Sequence, residues 1–162
     1  MNIIRRLIVP ACCLLMLSLC GGASRANHIP YASGDVLAEF QAVPGLGASG
    51  NNLLLQSLML IDQADQGIAL DLLIAAVATG SPAPVLGAEN GVPSISDADA
   101  LALAGFLSIA GGDYVDLGGA RLAFKANPGI MLPPGDIYVG AITRGAPTYG
   151  AASLLLRLGL RW

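Results

Sequence analysis

The sequence predicts an all-β fold, an antiparallel β-sandwich or jelly roll with one short helix, and three observations lead there. Short apolar or alternating segments recur along most of its 162 residues, 21 glycines and 10 prolines punctuate them, and only one stretch carries a helix-start signal. No internal repeat and no domain linker interrupts the pattern, so residues 27–162 read as one domain. The first 26 residues are of a different kind and are expected to form a signal-like helix ahead of it.

That leader has Arg5 and Arg6, an apolar run from Leu7 to Cys20, and a small-residue exit at Ser24-Arg25-Ala26. The run is about 14 residues and contains Pro10, whereas a bilayer helix needs roughly 20, so a cleavable signal peptide is the better expectation. Leu17-Ser18-Leu19-Cys20 leaves lipid attachment at Cys20 open, with leucine standing where a small residue is usual. An uncleaved anchor or a different translation start also remain open. All three cysteines (Cys12, Cys13, Cys20) lie in the leader, as do three of the eight basic residues and none of the eleven acidic ones. Removal after Ala26 would leave 136 residues without a thiol and with a net charge of about −6. Such a chain has too few cations to expect a nucleic-acid partner, and no disulfide to lean on. With so few charges and so many aliphatic residues, much of its surface is expected to be covered by neighbouring subunits.

Asp35 to Ala42 alternates, Val36, Ala38 and Phe40 against Asp35, Glu39 and Gln41, which predicts a half-buried strand ended by Pro44-Gly45. Leu53 to Ile61 and Ile68 to Val77 are apolar on both faces. With the turn-like Asp62 to Gly67 between them they predict a hairpin of doubly covered strands, although periodicity leaves a helix open for the first. Thr79 to Pro93 reads as a long surface loop. Ser96-Asp97-Ala98-Asp99 before an Ala-Leu run is a helix N-cap with negative charge in the first turn, and the helix should end near Gly105. Phe106 to Ile109, Tyr114 to Leu117, Arg121 to Ala126 and Asp136 to Thr143 follow as short strands. Turns at Gly111-Gly112, Asn127-Pro128-Gly129 and Pro133-Pro134-Gly135 separate them. Arg121 and Lys125 face one way and Leu122 and Phe124 the other. In the last strand Leu154, Leu156, Leu158, Leu160 and Trp162 oppose Arg157, Gly159 and Arg161.

Candidate chemistry is sparse. Gly45-Leu46-Gly47-Ala48-Ser49-Gly50 matches G-x-G-x-x-G but lacks the helix and the acidic strand end of a dinucleotide site, so a hairpin loop is expected. Asp62 with Asp65, and Asp97 with Asp99, could offer carboxylates to calcium, yet neither pair has the glycine and bidentate glutamate of an EF-hand. A solvated turn and a helix cap are their expected roles. His28, the single histidine, stands alone near the amino terminus of the shortened chain, so no zinc site and no Ser-His-Asp set is expected. No catalytic, cofactor-binding or metal residues are assigned, and an enzyme is not expected. The alternating carboxyl-terminal strand would also suit a small outer-membrane barrel, but aromatic residues are too few for two girdles.

Ala32-Ser33-Gly34-Asp35-Val36-Leu37, Ser96-Asp97-Ala98-Asp99-Ala100, Asp113-Tyr114-Val115-Asp116-Leu117-Gly118, Gly129-Ile130, Asp136-Ile137-Tyr138-Val139 and Ala146-Pro147-Thr148-Tyr149 occur in an order with a counterpart. From Tyr31 to Leu160 the chain resembles small virion structural proteins of tailed phages and prophages, of the head-decoration or similar accessory type. The resemblance implies a β-rich module without catalytic residues that attaches to copies of itself and to a capsid or tail lattice, and a location in the virion. The leader departs from it, because phage particles assemble in the cytoplasm. An exported β-sandwich, periplasmic or extracellular, that binds a surface partner or glycan is therefore the alternative expectation.

Overall fold

A computed structural model describes residues 13–19, 30–44, 51–150 and 152–161. His28, the Gly45 to Gly50 loop and Trp162 lie outside the described residues. Among the described residues nine strands form two sheets: β1 (Cys13–Ser18), β2 (Val36–Ala42), β3 (Leu53–Asp62), β4 (Leu70–Val77), β5 (Leu103–Ile109), β6 (Tyr114–Asp116), β7 (Arg121–Leu132), β8 (Asp136–Thr143) and β9 (Leu154–Arg161). Sheet A has the order β1-β9-β3-β7-β6 and sheet B the order β2-β8-β4-β5, with every pairing antiparallel. The fold is thus the expected all-β sandwich. Its strands make two separate sheets rather than the single closed sheet of an outer-membrane barrel.

The core lies between the sheets and is built largely from leucine. Leu53, Leu55, Leu58 and Leu60 of β3 and Leu154, Leu156, Leu158 and Leu160 of β9 face Leu70, Leu72 and Ile74 of β4 and Ile137, Val139 and Ala141 of β8. Period-2 alternation, stepped by one residue in β3 at the irregularity between Leu55 and Ser57, sends these residues inward, and burying each leucine is worth about 2 kcal/mol.

Five local expectations are corrected. Cys13–Ser18 is a strand paired with β9, not part of a helix, and Leu19 just beyond it is fully buried in the core. The open edge of β9 supplies backbone partners for those residues, and such tertiary context overrides local helix preference. β3 and β4 do not form a hairpin. The Asp62 to Gly67 turn carries the chain from sheet A to sheet B, where β4 pairs with β5 and β8. Asn127-Pro128-Gly129 is not a turn between strands but an irregularity within β7. Asn127 (φ 47°) and Gly129 (φ 73°) take left-handed conformations, and the register against β3 shifts between Leu55 and Ser57. The helix α1 spans only Asp97–Ala100, capped by Ser96, and β5 already begins at Leu103. Finally, two register shifts interrupt β2, so Leu37 joins Ala38 in the core while Val36 and Phe40 pack on the far side of sheet B.

Candidate interaction surface

The two sheets treat their outer faces differently. On sheet B, Leu86 from the long loop between β4 and α1 seats on Val36, Leu73 and Ile142, with Phe40 packed beside it. Gly140 makes room, since a Cβ there would stand 2.8 Å from Leu86 Cδ2 and 3.2 Å from Phe40 Cδ1. Backbone hydrogen bonds fix the loop: Asn90 N–H donates to Val36 O, Val36 N–H to Gly91 O and Ser94 N–H to Leu86 O, each at 2.8 Å. The Gly80 N–H donates to Asp136 Oδ2 at 2.9 Å, and the Tyr31 hydroxyl to Glu89. The predicted surface loop is therefore a cover, and β4 is buried on both faces as expected.

Sheet A has no such cover among the described residues. Register places Val115, Leu122, Ile61 and Leu155 in one transverse row of its outer face, then Phe124, Met59 and Arg157 in the next. Met131, Leu54 and Arg161 form a further row, around a pocket of about 290 Å³ that Asn52 and Leu53 also line. Val115, Phe124 and Met131 are 59%, 52% and 64% exposed. β3, expected to be doubly covered, is buried on one face only. Arg157 and Arg161 are the only charges in these rows. The Arg157 Nε is buried, yet no acceptor among the described residues meets it.

β7 shows how this face arises. Ala123 points into the core, which sends Leu122 and Phe124 outward and turns Arg121 and Lys125 toward the sandwich side. The cations then reach carboxylates at the rim: Arg121 Nε to Asp65 Oδ1 at 2.9 Å and Lys125 Nζ to Asp113 Oδ2 at 2.7 Å. Lys125, followed by the Ala110 backbone N–H, holds the Asp113 carboxyl below the ordinary carboxylate range.

Three of the four acidic residues weighed for calcium, Asp62, Asp65 and Asp99, are occupied otherwise. Asp62, expected in a solvated turn, is fully buried. Its Oδ1 accepts from Ala64 N–H at 2.9 Å, and its Oδ2 from Gln66 N–H (3.0 Å), Gly67 N–H (2.7 Å) and the Tyr149 hydroxyl (3.0 Å). A carboxylate whose oxygens already accept four hydrogen bonds suits a structural anchor and has little lone-pair capacity left for a cation. Gln66 joins the same staple through two 2.8 Å bonds with the Thr148 backbone. The Tyr114 hydroxyl closes it on Ile68 O at 3.0 Å, and burial, followed by the charges of Asp62 and Asp113, pushes that phenol above its ordinary value. Asp99 is the reciprocal partner of the Ser96 cap, its N–H donating to Ser96 Oγ at 3.1 Å, while Asp97 only opens the first turn. Asp71, buried on the outer side of sheet B, is held by the Ser108 hydroxyl and by Arg144. No group of three or more His, Cys, Asp or Glu side chains among the described residues is placed to hold a metal ion. No helix among them is long and apolar enough to cross a membrane.

Sequence reading missed the Asp62 staple because its parts lie up to 87 positions apart. It missed the open face because alternation says that two faces differ, not which one a neighbour covers. No protein-family model matches this chain, and no curated protein is similar enough to be counted a relative.

Proposed function

We propose that this chain is a non-enzymatic structural or assembly protein of the virion decoration or accessory head or tail type, working by docking onto copies of itself and onto a capsid or tail lattice protein. The observation that carries this reading is the uncovered apolar face of sheet A, on a body whose other sheet is covered over β2, β8 and β4 by the Leu86 loop and leaves Phe106 bare only at its β5 edge. A sheet face with three large apolar side chains more than half exposed is what a partner surface removes from water, at about 25 cal/mol per Å² before the costs of association. The buried carboxylates and tyrosines serve the scaffold, which leaves the apolar rows and their two arginines as the distinctive chemistry of the surface.

Quantitative mass spectrometry of phage particles purified from an induced culture of cells that carry the gene tests this. The chain should be present at a fixed ratio to the major capsid or tail protein, and Phe124→Glu should lower that ratio. Recovery of the chain only outside particles would overturn the proposal. A second reading, an exported β-sandwich that binds a surface partner or glycan, is favoured by Arg5, Arg6 and the apolar run that follows them. Finding the protein in the periplasm or medium without Met1 to Ala26 would select it.

A further inference from the structure

The open face has a polarity of its own: its arginines lie on β9 and, among the described residues, its one aromatic ring, Phe124, on β7, with β3 between them. Arg157 and Phe124 pair with the same residue, Met59, so they stand level along the strands on either side of β3. We propose that this face packs against the same face of a second copy about a two-fold axis running along β3, with the Arg157 guanidinium of each copy over the Phe124 ring of the other. The inference deepens the structural reading above by naming an occupant for the face, and it rests on that reading only for the statement that the face is used.

Charge selects the axis. Rotation about a line parallel to β3 lays β9 of one copy over β7 of the other, which sets cations over apolar side chains and Arg157 over an aromatic face. Rotation about the in-plane line perpendicular to the strands lays β9 over β9, which gathers four arginines on one side with no carboxylate in the rows to offset them. The parallel axis also stacks Leu155 over Leu122 and keeps strand directions nearly aligned, the usual geometry of packed sheets. Within one copy the Arg157 Nε is buried without an acceptor among the described residues, so docking breaks no bond to that atom. Eight residues of strand and four strands give roughly 500 Å² of projected face per copy. That is the size of a reversible dimer rather than a permanent one.

The test uses the full chain under reducing conditions, so that Cys12, Cys13 and Cys20 cannot link copies. Sedimentation equilibrium from about 1 to 200 μM should show a monomer–dimer transition, and Arg157→Glu should weaken it at least about tenfold, as loss of two desolvated cation–π contacts requires. Phe124→Lys should do the same. Mixing the two variants should restore the dimer, because only the parallel axis sets position 157 of one chain against position 124 of the other. Hydroxyl-radical footprinting of the unaltered protein needs no variant: Met59 and Met131 should become more oxidised on dilution through the transition. A monomer across the whole range, an Arg157→Glu dimer of unchanged strength, a mixture that stays monomeric, or oxidation that ignores dilution would each overturn the pairing. A chain found at fixed ratio in particles yet monomeric alone would overturn the pairing and leave the structural reading standing.

Discussion

β3 and β4 look alike as sequence, two runs apolar on both faces, yet one becomes a fully enclosed strand and the other keeps a bare side. β4 sits under Leu86 and the loop that carries it, while β3, at the centre of sheet A, turns Met59 and Ile61 to an uncovered surface flanked by Phe124 and Leu122. The difference teaches that hydrophobicity on both faces of a strand reports a need for cover without saying who provides it. In sheet B the chain covers β2, β8 and β4 itself and leaves only the β5 edge, with Phe106, exposed. In sheet A the rows of Val115, Phe124 and Met131 remain for something else to cover.

The most forceful way to sharpen the contrast is at the edge of sheet A. A chain beginning at Asn27 lacks β1 and the fully buried Leu19, and should lose at least about 3 kcal/mol of stability against the full chain in urea. Equal midpoints would show that β1 contributes nothing to sheet A. Next comes the cover itself: Leu86→Ala should lower stability by about 2 to 3 kcal/mol, because it removes a buried side chain that its rigid seat over Gly140 cannot refill. The matching change on the open face, Phe124→Ser, should alter the melting of the dilute monomer by less than about 0.5 kcal/mol, since an exposed ring has little burial to lose. A loss as large as that of Leu86→Ala would break the comparison outright.

The smallest effect belongs to the rim, where β7 directs its cations to the sandwich side. Asp113 is held below its ordinary range in the folded protein, so its pairing with Lys125 adds stability that is fully present above about pH 4 and fades as pH falls through the lower folded value. The pair is partly exposed and contributes under about 1 kcal/mol. Lys125→Met should therefore flatten the acid limb of a stability–pH profile. Tyr114 acts on the alkaline limb with the opposite sign. Its raised phenol contributes stability that is complete below about pH 10 and is lost as pH climbs further.

Much of the scaffold was legible because its signals are local. The Leu154, Leu156, Leu158 and Leu160 series fixed the buried side of β9 and set Arg157 outward, and Ser96 capped the helix it promised. Arg121 to Lys125 was read correctly as two-faced, but polarity alone suggests the reverse of what happens, since here the apolar side looks out. Ala123 decides it: a small residue fills the crowded interior of β7, and the long cations bend to carboxylates at the rim. The hairpin expected from β3 and β4 failed for a related reason. The Asp62 turn is compact enough for a hairpin, but its carboxylate binds Tyr149 from the far end of the chain and directs the strands into different sheets.

By itself, then, the sequence determined the all-β class, the leucine side of β9, the cap at Ser96 and the scarcity of reactive groups. Each of these follows from spacing or composition within a few residues. Only the tertiary structure decided which face of each sheet would be covered, that Cys13–Ser18 would line the edge of β9, and that Asp62 would be buried as an anchor. Those outcomes depend on backbone edges and side chains that meet across tens of residues, and a pairing free energy has no value until both partners are in place.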